Sequence, residues 1–453
     1  MLIRLVVKNI YSFGDEREFN LLPAPRLTRL AEHKYKLNNI EVLKLSAVYG
    51  ANGAGKSNLV KIFQHLVSII KNGDIPNDLI DSKFKLSKQN EDLTQVIGIE
   101  YYVNNKTFYY GIEFDNGIVI TEELYKTNQD KKDDQLLFER KSDGSGKSIT
   151  KFNSDFEVDK ESKTLKSVLE KNLIKPEKSI FKLLHELDND YLTEIKDAYI
   201  WFKDKIQIIQ PASRPSGLVH QIDNDGSFKD FANNIMSSFG TGIKEIETEK
   251  KTFKEFFGED ENYEKISKEL KKEPKNVLGL INKYGEEIIA INEDNELIIK
   301  RLVLKHQGDS NNLVDFYLEN ESDGTNRLLD YIPAFQEIIS ENKVYIIDEI
   351  ERSIHPLLIK ELINKFSLDT KSNGQLIFTT HESNLLDQNI FRQDEIWFIE
   401  KDKLGCSDMY PLSDFKEHHT KDIKKGYLAG RYGAIPFLGN LKDLNWSNYV
   451  TSQ

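Results

Sequence analysis

Gly50-Ala-Asn-Gly-Ala-Gly-Lys-Ser57 fits the P-loop pattern G-x-x-x-x-G-K-S/T. The run leading into it, Leu43–Gly50 (LKLSAVYG), is short and apolar, as a buried strand is. The run leading out, Lys56–Ile70 (KSNLVKIFQHLVSII), carries apolar residues at helical spacing. Strand, glycine loop and helix in that order form a phosphate cradle. Backbone N–H groups of the loop can curl around phosphate oxygens, and the helix N-terminus faces their negative charge. A chance glycine turn explains neither flank. The expected nucleotide contacts are Gly50, Ala51, Asn52, Gly53, Ala54, Gly55, Lys56, Ser57 and Asn58. Lys56 is expected to reach the β- and γ-phosphates of ATP, and the Ser57 hydroxyl to sit on Mg²⁺.

Far downstream, Val344-Tyr-Ile-Ile-Asp348-Glu349 closes an apolar strand with two acids. Many strands end in acids that merely cap the next helix. Beside a P-loop, the pair reads as a Walker B motif: Asp348 holds Mg²⁺, and Glu349 orients and deprotonates the attacking water. The next apolar strand, Gln375–Thr379, runs into Thr380 and His381. A histidine after a strand is by itself an ordinary loop or packing residue. Glu321-Ser-Asp-Gly-Thr325 precedes a helical stretch, and as a bare string it is an N-cap turn.

Outside these motifs the chain alternates between strand-like and helix-like text. Leu2–Phe19 reads as one or two strands, and Gln95–Leu124 as an antiparallel meander. Thr127–Lys151 is rich in Asp, Lys, Ser and Gly, which suggests a hairpin or loops. Residues 160–275 look mostly helical, and the Lys/Glu-dense stretch from Ile243 reads as a solvated helical face. After Pro274 strands return, beginning with a hairpin around Asn292–Asn295. Buried strands separated by a helix point to an α/β fold with a parallel or mixed sheet.

The order of these motifs resembles the ABC-type ATPases of the RecF, SMC and OLD kind, and more narrowly the AAA-15/AAA-21 group. Further stretches carry the likeness: Val7-Lys-Asn-Ile-Tyr-Ser-Phe13, Glu349-Ile-Glu-Arg-Ser-Ile-His-Pro356 and Gly426-Tyr-Leu-Ala-Gly-Arg-Tyr-Gly-Ala-Ile-Pro436. The resemblance implies an ABC-type P-loop head formed from both chain ends, residues 1–150 and 276–453, with a mostly helical insertion at 151–275. It implies that His381 is the switch histidine on the γ-phosphate. It also makes Ser322, Asp323 and Gly324 a signature, contacting ATP held by a second copy. This sequence has Ser-Asp-Gly where the family pattern has Ser-Gly-Gly. A Q-loop glutamine is not identified; Gln64 falls inside a helix and Gln89 in a polar loop.

Members of that group often serve as ATPase subunits of bacterial anti-phage, abortive-infection systems, such as the RloA-like and PARIS-type ATPases. The likeness therefore implies a homodimer or larger homo-oligomer that controls a separately encoded effector, such as a nuclease-type toxin. The alternative within the resemblance is a RecF/SMC-like DNA-repair or chromosome-maintenance clamp. A net charge of −12 over 453 residues speaks against a large nucleic-acid surface. A lone cysteine, Cys406, excludes an internal disulfide. The chain start lacks the apolar core of a signal peptide, and no run is long enough to span a membrane. A soluble, cytoplasmic protein is expected.

Overall fold

The computed structural model describes residues 1–435 except 39, 128–133, 143–146, 155, 157–159, 216, 259–262, 271, 273–276, 282–285, 294–295 and 311. A six-stranded sheet forms its centre, in the order Ile206–Ile209, Val344–Ile347, Gln375–Thr380, Leu45–Tyr49, Ile396–Lys401, Ser407–Pro411. All neighbours in it are parallel except the last pair. Both faces of this sheet are covered, so its strands read as unbroken apolar runs. Val48, Ile346, Ile377 and Ile399 face one core, while Leu45, Ala47, Tyr49 and Ile347 face the other.

The first core is closed by the helix Lys56–Asn72 and by a seven-stranded antiparallel sheet behind it. That sheet runs Ser148–Phe152, Gln135–Ser142, Ile118–Thr127, Lys106–Asp115, Gln95–Val103, Leu2–Lys8, Arg17–Asn20. The expected meander is present. The Asp/Lys/Ser/Gly-rich stretch is a hairpin of Gln135–Ser142 with Ser148–Phe152. Its tip, like residues 128–133, lies outside the described residues. The helix buries Leu59, Val60, Ile62, Phe63, Leu66, Ile69 and Ile70, one stripe at the spacing the sequence shows. It ends at Gly73, whose left-handed backbone (φ 86°) lets its N–H bond the Ile69 carbonyl. The second core is closed by the helices Asp323–Ser340 and Pro356–Leu368, with Gly226–Ser238 packed beside them.

The middle of the chain departs from the helical reading in two places. Ile206–Ile209 is a strand, and it belongs to the central sheet beside Val344–Ile347. A helical spacing of apolar residues runs into it without a Gly or Pro to mark the change, and four residues are too few to set a period of their own. Ile243–Thr252 is also a strand, not a solvated helix. It lies against Glu296–Gln307 in a further antiparallel sheet with Glu287–Glu293, Val277–Ile281 and Leu313–Phe316. Its charges are cross-strand pairs. Glu249 stands directly opposite Arg301 and accepts from it at 2.8 Å, and Lys305 reaches Glu247 at 3.1 Å. The hairpin expected after Pro274 is present, its tip at 294–295 outside the described residues. Among the described residues, no helix is long and apolar enough to cross a membrane.

Candidate nucleotide site

Three adjacent parallel strands deliver the chemistry to one edge of the central sheet. Leu45–Tyr49 ends in the P-loop, Val344–Ile347 in Asp348 and Glu349, and Gln375–Thr380 in His381. Open α/β sheets bind ligands at this carboxyl edge. Gly50, Asn52, Glu349, Glu351, Arg352, His381 and Ser383 line a cleft of about 740 Å³ there, and Tyr427, Leu428 and Ile435 close one side of it.

The loop is held by contacts that leave room only for glycine. A Cβ on Gly50 would stand 2.5 Å from the Ile399 carbonyl oxygen of the adjoining strand. Gly55 has φ 123°, and a Cβ there would meet the Ser407 and Ser12 hydroxyls at 2.5 and 2.8 Å. Those two serines are structural supports that the sequence reading missed. Ser407 donates to the Ala54 carbonyl at 2.5 Å, and Ser12 accepts from Asn58 at 2.9 Å. Asn58 therefore braces the loop from behind. Asn52, Gly53 and Ser57 are exposed, with Ser57 on the first turn of the helix. Gly55→Ala is expected to bind ATP at least ten-fold more weakly and to lower stability by roughly 1–3 kcal/mol for the forced backbone. Thermal unfolding and nucleotide titration of the variant check both.

Lys56 is buried and donates to the Gly50 and Ala51 carbonyls at 2.7 and 3.3 Å. Its Nζ is also 3.2 Å from His381 Nδ1. Burial lowers the lysine pKa to about 8, partly countered by Glu351, Asp348 and Glu349, so the ammonium persists at neutral pH. Burial and the Lys56 charge lower the His381 pKa, which keeps its ring neutral there. A neutral ring that accepts at Nδ1 carries its proton on Nε2. His381 is thereby left with a donor to offer.

Asp348 is buried and accepts from the Thr379 hydroxyl at 2.5 Å. The same hydroxyl oxygen accepts from the Glu349 N–H at 2.8 Å, and the Asp348 N–H donates to the Ile209 carbonyl at 2.9 Å. Thr379 thus clamps both Walker B acids; the sequence displayed it beside His381 without revealing this work. Glu349 takes a left-handed backbone (φ 51°), uncommon for a residue with a side chain. Such strain gathers where a side chain must be aimed.

The strand that sequence periodicity hid supplies a further residue. Gln210 follows Ile209 directly, beside Asp348 on the sheet edge. Its side chain donates to Gln64, and its carbonyl accepts from Arg327 at 3.2 Å. Arg327 lies on the helix that Ser322 caps, so this loop joins the Walker B edge to that helix. Ser322 accepts from the Thr325 N–H at 3.1 Å, the N-cap contact the bare string suggested. Gly324 is pressed against the turn after Walker B: a Cβ on it would lie 2.7 Å from the Ser353 carbonyl oxygen. Among the described residues, no hydrogen bond joins Ser322, Asp323 or Gly324 to the P-loop of the same chain.

The residues present fit a magnesium nucleotide. A P-loop closed at Gly50 and Gly55 to any Cβ, a lysine turned onto the loop carbonyls and a clamped aspartate lie together. The tail stretch likened to the family's packs as a knot beside this site. Tyr427 meets Tyr49, the residue before the P-loop, edge to face, and Tyr432 stacks on Phe398. Pro436 lies outside the described residues.

The family model described as "AAA domain, putative AbiEii toxin, Type IV TA system" matches residues 45–387, well over half of the chain. No curated protein matches. Among solved structures, an SMC head domain from Thermotoga maritima is 13% identical, with 90% of this chain and 98% of that one covered at a TM-score of 0.38. An SmcHead bound to the C-winged helix domain of ScpA is 12% identical, covering 92% and 99%, at a TM-score of 0.41. These likenesses are distant. The family match begins at the strand that carries the P-loop and ends just past His381, enclosing the P-loop, Ser322, Asp323, Gly324, Asp348, Glu349 and His381: the chain belongs to the AAA-21 family of P-loop ATPases.

Proposed function

We propose that the chain binds and hydrolyses ATP at this edge, and that a second copy completes the site. The observation that carries the reading is the meeting of Lys56 and His381 at 3.2 Å beside the Thr379-clamped pair Asp348 and Glu349. Lys56 would exchange its two loop carbonyls for β- and γ-phosphate oxygens. His381 would donate from Nε2 to the γ-phosphate. Glu349, aimed by its left-handed backbone, would orient the water and take its proton. Asp348 and Ser57 would hold Mg²⁺, which when bound supplies charge neutralisation at the phosphates. Gln210, between the Walker B edge and the Ser322-capped helix, is suited to the Q-loop role.

The resemblance of Ser322, Asp323 and Gly324 at a helix N-terminus to the family's signature supports their use on the ATP of a second copy, hence a homodimer or larger assembly. Closing and opening of such an assembly can act on a partner only through different affinity for the two states. The family description names a putative toxin of a type IV toxin–antitoxin system. It supports a role in abortive infection, which we assign here to ATP-dependent control of a separately encoded effector.

Purified protein is expected to release phosphate from ATP only with Mg²⁺. Asp348→Asn should cut that release by about 10²-fold or more as a positioned charge on the metal is lost. Mg²⁺-independent release, or an unchanged Asp348→Asn, would refute the site. Co-purification with the product of the neighbouring gene, in the presence and absence of ATP, tests the effector. Salt-sensitive, ATP-dependent binding of duplex DNA would favour the clamp instead.

A further inference from the structure

Glu351 is the acid for which the mechanism above has no use, although it lines the same cleft as Glu349 and His381. Its Oε1 accepts the backbone N–H of His381 at 2.6 Å, tying the turn after Walker B to the end of the next strand. Its Oε2 is buried and, among the described residues, has no hydrogen-bond partner. Of the three carboxylates acting on Lys56, Glu351 acts most strongly, ahead of Asp348 and Glu349. The turn holding it is constrained on both sides by the left-handed residues Glu349 (φ 51°) and Ser353 (φ 62°). Beyond it, the Ser353 carbonyl abuts Gly324.

A buried carboxylate oxygen without a donor is costly to keep, so Glu351 holds the His381 N–H in an arrangement it can leave at little loss. We propose that Glu351 is a γ-phosphate gate: its carboxylate holds His381 when the terminal phosphate is absent and must turn away when that phosphate enters. The inference rests on the cleft being the ATP site. A γ-phosphate lying between Lys56 and His381 brings only acceptor oxygens and negative charge next to Glu351. Two like charges at such range in a partly buried site repel, and neither can donate to the other. ADP reaches the P-loop without meeting this repulsion. Glu351 therefore penalises ATP selectively. Its departure also frees the turn that ends on Gly324, so a chain's own signature helix feels the γ-phosphate on its own P-loop. Glu351 touches no reacting atom in this account; it is a positioning residue.

The test is calorimetric titration of the full chain with Mg²⁺-ADP and with a non-hydrolysable Mg²⁺-ATP analogue. Glu351→Gln keeps an oxygen for the His381 N–H and removes the charge. It is expected to bind the analogue on the order of five-fold more tightly while ADP affinity stays within about two-fold. Glu351→Asp keeps the charge and is expected to retain the parental ratio of the two affinities. Glu351→Ala carries the same expectation as the amide if the amide variant does not fold. An unchanged ratio in the neutral variants overturns the gate, as does an equal shift for both nucleotides, which a purely structural role would give. A raised ratio in Glu351→Asp overturns it too, because charge would not be the cause. A parental chain that binds neither nucleotide would instead refute the ATP site itself.

Discussion

Lys56→Ala is expected to lose ATP turnover by about 10²–10³-fold and most of its ATP affinity, because one buried cation answers the β/γ-phosphate charge. In the free chain that ammonium is stabilised by the Gly50 and Ala51 carbonyls, with burial holding its pKa at about 8. A triphosphate beside it favours the charged form, so the bound pKa lies above the free one. Binding is then at full strength below pH 8 and weakens as pH rises past the free pKa, by about ten-fold at one unit above it. Titrating ATP affinity from pH 7 to 9.5 checks the sign. Lys56→Arg, whose charge does not titrate in this range, should flatten the profile even where its affinity is lower. An alanine variant that turns over ATP at the parental rate would remove the P-loop assignment outright.

Glu349→Gln is expected to bind ATP normally and hydrolyse it on the order of 10²–10⁴-fold more slowly, since the amide keeps the shape and loses the base. The Thr379 contact to the Glu349 N–H is a backbone bond, so the substitution leaves the Walker B turn in place. If ATP closes two copies around each other's signatures, this variant should accumulate the closed form. Light scattering with and without ATP reads that directly. A chain that stays monomeric under ATP would count against a site shared between copies, and retained turnover would place the base elsewhere.

The P-loop was legible in the sequence because it is a contiguous run between a strand and a helix. Gly50 and Gly55 are required by the Ile399 carbonyl and by the Ser12 and Ser407 hydroxyls pressed against them. The pattern announced the loop, although the atoms enforcing it come from both ends of the chain. Asp348 and Glu349 stood out as the acidic end of an apolar strand only beside the P-loop, and His381 only through the family resemblance. What stayed hidden depends on pairing between distant strands. Thr379 acquires its role only because its strand lies beside Val344–Ile347. Gln210 became visible only once Ile206–Ile209 was seen in the central sheet; the helix-like text before it gave no warning. Ile243–Thr252 shows the same limit from the opposite side. Its Lys and Glu residues suit a solvated helix as well as a strand, and Glu296–Gln307 opposite decides between them.

The strand order has a consequence for how the chain is made. During synthesis Leu45–Tyr49 emerges early, yet its neighbours on either side are Gln375–Thr380 and Ile396–Lys401. All five of its residues are buried in the finished molecule. Leu2–Lys8 and Gln95–Val103 can meet as soon as Val103 has emerged, whereas the P-loop strand must wait, apolar and unpaired, until Gln375–Thr380 and Ile396–Lys401 have followed. Pairings of such sequence separation close slowly and leave apolar edges open to aggregation meanwhile. A ribosome-bound chain stopped before residue 375 should therefore be protease-sensitive around the P-loop while its amino-terminal antiparallel sheet is already protected. The nucleotide cradle would come into existence only once residues 375–401 had been made.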